Sequence, residues 1–146
     1  MPLQLPDLAA TEAFAGRVAR VARAGDAILV EGPLGAGKTA FARAFLRAAA
    51  NDPALEVPSP SYTLVQSYDC AAFRAHHFDL WRLDGPAALA ELGWDEARED
   101  LLLVEWPDRL GPLRPDDALT IAFALGEREA RVATLSGWPD RIGALA

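Results

Sequence analysis

The chain has 146 residues, 51% of them hydrophobic and 24% charged, and 14 Lys+Arg against 21 Asp+Glu leave a formal charge of −7. That length suits one domain and that composition excludes disorder, while Cys70, the single cysteine, excludes an internal disulfide or a thiolate zinc site and fits a reducing cytosol. The acidic balance argues against independent, nonspecific binding to nucleic acid, DNA or RNA; no apolar segment approaches the ~20 residues of a membrane span, and no basic-then-apolar leader opens the chain, so a soluble cytoplasmic protein is expected.

Leu3 and Leu5 alternate with their neighbours as in a short strand. Asp7 stands as an N-cap, and Phe14, Val18 and Val21 recur at helical spacing before Gly25, where the helix is expected to stop. An apolar strand at 27–30 runs into a glycine-rich turn at 32–37. From Lys38 an alanine-rich helix with Phe41, Phe45 and Leu46 on one side continues to about residue 50. Three prolines make 51–60 a loop, and 62–68 and 75–80 read as strands pairing as a hairpin across 69–74. Short helical pieces at 86–92 and 95–100, interrupted by Gly93, precede the apolar run 101–104. That run ends in Glu105 as a central buried strand would, and Pro107 closes it. Strands at 118–125 and 130–136, joined by a turn containing Gly126, read as a terminal hairpin, and 137–146 is a tail without assignment. Alternation of this kind predicts one α/β domain over 1–146, with a mixed parallel and antiparallel sheet flanked by helices.

Residues 32–39 read Gly-Pro-Leu-Gly-Ala-Gly-Lys-Thr and match the Walker A phosphate-loop pattern, which arises by chance in on the order of one in two hundred chains this long. A strand before it and a helix after it are the right context. There, glycines let successive backbone N–H groups converge on a phosphate, and Gly35, Ala36, Gly37, Lys38, Thr39 and Ala40 form the expected ATP- or ADP-contacting run. Lys38 reaches the β- and γ-phosphates, and the Thr39 hydroxyl ligates Mg²⁺. A carboxylate is needed for the metal, and Glu105, ending a buried strand, is the candidate; the alternative is an acid entering solvent. Asp79 is the second candidate, to orient the attacking water, against a plain pairing with Arg82. His76 and His77 point to opposite faces of a strand and so do not share a metal. Of the 14 cations only Lys38 is a lysine, so the [NT]-K-x-D element that reads guanine is absent and adenine or weak base selectivity is favoured.

The loop 34–39, the segment Ser-Pro-Ser-Tyr-Thr-Leu-Val at 59–65, the segment His-Phe-Asp-Leu-Trp-Arg-Leu at 77–83 and Val-Glu-Trp-Pro at 104–107 occur together in the order and spacing of a known family. The chain resembles the TsaE family, the ATPase component of the bacterial tRNA threonylcarbamoyladenosine synthase. The resemblance implies a small P-loop NTPase that acts with two related subunits, of the TsaB and TsaD families, one of which transfers threonylcarbamoyl to the adenosine 3′ of the anticodon. ATP hydrolysis would reset that complex between rounds, and tRNA would be met only through the partners. By the same resemblance Lys38 and Thr39 match the phosphate lysine and metal hydroxyl, Glu105 the Mg²⁺ carboxylate, Asp79 an acid needed for hydrolysis and Thr11 a threonine near the nucleotide. Residues 59–65 match a switch-like loop, or else a proline-bounded entry to an ordinary strand. Trp106 would cap the site, meet a partner or simply pack in the core. The departures are Pro33 for an acid, Ser61 and Ala40 for threonine, and Trp81 for a tyrosine whose hydroxyl is lost. Two other readings stand beside the ATPase: a small-molecule kinase with Asp79 as base, disfavoured because 84–101 shows no inserted lid, and a nucleotide-gated binding module with negligible turnover.

Overall fold

The computed structural model describes residues 1–60 and 63–146. Its elements follow from local chemistry. In β1 (Pro2–Leu5) Leu5 is buried, and Asp7 then caps α1 (Leu8–Val21), its Oδ1 accepting from Ala10 N at 2.9 Å. The helix ends before Gly25, earlier than expected, because Asp26 Oδ2 accepts from Arg23 N at 2.6 Å and draws the chain into a turn. The apolar run becomes β2 (Ala27–Glu31), and α2 (Lys38–Ala49) buries Phe41, Ala42, Phe45 and Leu46, positions one helical turn apart.

β3 (Val65–Asp69) and β4 (Arg74–Asp79) form the expected hairpin, with Val65 opposite Phe78. The strand begins later than expected. Leu64, at φ 68°, turns the chain just before it, and Ser61 and Tyr62 lie outside the described residues. A 3₁₀ helix (Pro86–Leu92) and the single turn α3 (Trp94–Ala97) lead into β5 (Leu101–Glu105), buried along its whole length; the 3₁₀ stretch Pro107–Leu113 follows. β6 (Leu119–Leu125) and β7 (Arg131–Ser136) complete the strands. The tail packs down: Trp138 and Leu145 are buried, and Arg141 holds Asp26 through two hydrogen bonds of 2.7 and 2.9 Å.

Among the described residues one seven-stranded sheet runs β1-β7-β6-β2-β5-β4-β3. Its centre, β6-β2-β5-β4, is parallel, and β3 at one edge and β7 with β1 at the other are antiparallel. Apolar side chains alternate between two cores. Ile28, Val30, Leu103 and Ile121 pack with Phe14, Val18, Phe41 and Phe45 of α1 and α2, whereas Leu29, Phe78, Leu102 and Val104 pack with Leu89, Trp94 and Leu110. The parallel strands therefore send their carboxyl ends to one rim, where α/β sheets keep their ligand sites.

Candidate functional site

At that rim the loop after β2 leaves the sheet pressed against β6. Gly32 has φ 138°, and a Cβ there would meet Phe123 O at 2.6 Å, so only glycine fits. The next constraint is Gly37, φ 110°, immediately before Lys38 opens α2; the first backbone N–H groups of that helix have no partner within it, and Gly37, Lys38, Thr39 and Ala40 line a cleft of about 360 Å³. Lys38 lies back along its own loop, Nζ donating to the carbonyls of Gly32 and, at 2.9 Å, Pro33. Burial pushes its ammonium below the ordinary lysine range, and the carboxylates of Glu105, Asp79 and Asp108 partly oppose that shift.

Register explains the acids. β5 lies between β2 and β4, so Glu105 stands beside Val30 on one side and Asp79 on the other. Both carboxyls are buried on the face covered by α1 and α2. Thr39 Oγ1, from the first turn of α2, donates to Glu105 Oε1 at 3.4 Å, and Asp79 Oδ1 accepts from Trp81 N at 3.1 Å. Trp106 follows at φ 60°, a left-handed conformation that costs a non-glycine residue about 1–3 kcal/mol. This turn carries its ring to 4.0 Å from Lys38 Nζ, and Trp81 packs on that ring with centroids 4.4 Å apart. Trp106 thus does both: its ring lies over the lysine and it also packs, partly buried, against the second core.

Thr11 lies in an adjoining cleft of about 410 Å³ with Leu8, Ala40 and Arg128; Gly37, Ala40 and Arg131 line both. Arg131 Nη2 donates to Gly35 O at 3.2 Å, joining β7 to the loop. No local pattern pointed to Arg131, because only sheet order brings it there. His77 was also missed as a site residue: its Nε2 lies 2.6 Å from Glu105 Oε2, and both side chains are 3% exposed or less. The available signal was period two, since His77 and Asp79 share a face. His76 points to the other face as expected, bonded to Ser67 Oγ at 2.7 Å and Asp100 Oδ2 at 2.8 Å. The stretch 84–101 forms no lid over the cleft; Leu89 and Trp94 bury it in the second core. Ser59 lines the cleft, whereas part of the expected switch segment, Ser61 and Tyr62, falls outside the described residues.

Among the described residues the buried polar or charged ones are Thr11, Lys38, His77, Asp79 and Glu105, and all five lie here. Burying such groups is costly unless they are paired, and their gathering at one rim marks a candidate site. The oxygen donors, the Thr39 hydroxyl and the Glu105 carboxylate, suit a hard divalent ion that takes few protein ligands and fills its sphere from phosphates and water, as Mg²⁺ does. The described residues hold no cluster of three or more His, Cys, Asp or Glu able to bind a metal unaided. Nor is any of their helices long and apolar enough to cross a membrane.

A family model described as "Threonylcarbamoyl adenosine biosynthesis protein TsaE" matches residues 5–133. Curated proteins called tRNA threonylcarbamoyladenosine biosynthesis protein TsaE are similar to this chain. That of Rickettsia bellii is 30% identical over 127 residues, covering 86% of this chain and 88% of its own; that of Bacillus subtilis is 29% identical over 133 residues, covering 90% and 82%. Among solved structures, a crystal structure of YdiB from Bacillus subtilis superposes with a TM-score of 0.79 at 25% identity, covering 99% of this chain and 90% of that one, so the P-loop NTPase-like α/β architecture is shared.

Proposed function

Because the chain belongs to the TsaE family and so to tRNA threonylcarbamoyladenosine biosynthesis, we propose that it binds ATP with Mg²⁺ at the rim cleft and hydrolyses it, slowly alone and faster with partner subunits. The observation that carries this reading is the meeting of Lys38, Thr39, Asp79 and Glu105 in one cleft at the start of α2. The backbone N–H groups opening α2 bind the phosphate chain, with the helix dipole adding positive potential. Lys38, released from the carbonyls of Gly32 and Pro33, follows the charge that shifts toward the β–γ bridge. Thr39 and Glu105 would hold Mg²⁺, which when bound neutralises β- and γ-phosphate charge. Asp79 orients the attacking water, held in place by Trp81 N. Trp106 and Trp81 shield this end of the cleft, strengthening every charge interaction inside it.

With a charge of −7, the chain reaches tRNA through its partners, of the TsaB and TsaD families, in the cytoplasm. The test is an ATPase assay of this chain alone and mixed with those two subunits, read together with co-elution. Stimulation and a shared elution peak are expected; their joint absence overturns the synthase role, and phosphate transferred to a small acceptor makes the protein a kinase. Lysine chemistry supplies a second check, since Lys38 and the amino terminus are the chain's only ordinary amine targets. A small amine-directed reagent is expected to label both, more readily at Lys38 than a buried ammonium of ordinary pKa would allow. Peptide mapping should then show ATP protecting Lys38 while the amino terminus stays reactive; equal labelling with and without ATP contradicts the phosphate role.

A further inference from the structure

We infer that His77 is a positioning residue for Glu105, fixing which of its carboxylate oxygens is turned toward Thr39 and the metal; this rests on the proposed metal role of Glu105. On β4 His77 stands opposite Leu103, one step of the same face below Glu105, and its ring leans up the sheet to place Nε2 2.6 Å from Oε2. A carboxylate can only accept, so the hydrogen of this bond sits on Nε2. The other nitrogen, Nδ1, is buried without a hydrogen-bond partner in the structure. The ring is thus committed on its Glu105 side alone, an arrangement that leaves a buried acceptor orphaned and has no evident use in holding β4 in the sheet. It does have one for Glu105. With Oε2 tied to His77, rotation of the carboxylate is stopped and Oε1 is left on the side of Thr39 Oγ1, 3.4 Å away. Hydrogen-bonding partners of this kind around a metal ligand commonly alter metal affinity tenfold to a hundredfold when removed.

The test compares His77→Leu, His77→Asn and His77→Gln, measuring ADP binding by calorimetry in EDTA and across a Mg²⁺ titration, with circular dichroism as the check on folding. Glutamine places an amide N–H near the position of Nε2 and asparagine is too short to do so. We expect the Mg²⁺ concentration for half-maximal effect on ADP binding to rise about tenfold in His77→Leu and His77→Asn and to return within about threefold of the parent in His77→Gln. Affinity for ADP in EDTA should be the same in all. If His77→Leu does not fold, the Asn and Gln pair decides. An unchanged Mg²⁺ midpoint in a folded Leu or Asn variant, or an equal shift in Asn and Gln, overturns the positioning role. Glu105→Ala, run in parallel, separates this failure from that of the parent reading. A normal Mg²⁺ response in Glu105→Ala removes both, whereas a lost response there with a normal one in His77→Leu removes only the inference.

Discussion

Replacing Lys38 by alanine is expected to weaken ATP binding about a hundredfold, since a charge-assisted contact to phosphate contributes roughly 1.5–3 kcal/mol and each 1.4 kcal/mol is tenfold in affinity. The fold should survive. The ammonium is desolvated, and burial holds its pKa below the ordinary lysine value. Between that lowered value and the unfolded one, near 10.4, the folded protein carries fewer protons at this site than the unfolded chain does. Lys38 therefore makes stability rise with pH across that window and weighs against folding below it. Removing it at pH 7 takes away this burden along with two hydrogen bonds to loop carbonyls, so cooperative thermal unfolding should persist in the variant. Calorimetric titration with ATP, beside a melting curve of the ligand-free protein, checks both halves. Parent-like affinity in a folded Lys38→Ala would remove the loop from the mechanism.

Glu105→Ala should behave in the opposite way, keeping affinity for ADP in EDTA while losing Mg²⁺-dependent hydrolysis by about a hundredfold or more, because the proposed Mg²⁺ site would lose its charged ligand and phosphate charge would go uncompensated. The substitution also strands His77, whose Nε2 then lacks its only acceptor. Some loss of stability, of order 1–3 kcal/mol, is expected from that orphaned group. Single-turnover phosphate release over a range of Mg²⁺, normalised to the folded fraction, isolates the catalytic effect. Normal turnover would sink the metal assignment.

The two experiments bear on features of unequal legibility. Loop 32–39 could be read directly, because its chemistry is written in adjacent residues and its glycines stand where the backbone needs them. Glu105 could be inferred from the apolar run before it, which is what a strand buried on both faces looks like. Asp79 was placed correctly at the end of its strand. Errors fell at element ends, where side chains from elsewhere intervene: Asp26, held by Arg141 from the far end of the chain, stops α1 early. His77, Arg131 and the Trp106 ring were the harder cases. Each acquires its place from pairing between distant strands or from a single unusual φ, and none of these is encoded by neighbours in the sequence.

The position of β2 in the sheet also governs how the protein comes into being on a ribosome. Ala27 pairs with Leu102 and Ile28 with Leu119, so both neighbours of the strand that carries the loop are synthesised long after it. β1 waits longer still, for β7. A nascent chain thus presents an apolar β2 with no strand partner until β5 has emerged, and with one edge still open until β6 follows. Contacts this distant in sequence close slowly, since the entropy of a long loop is lost before any pairing compensates it. The loop that leaves β2 should therefore gain its final support only after both neighbouring strands have been made.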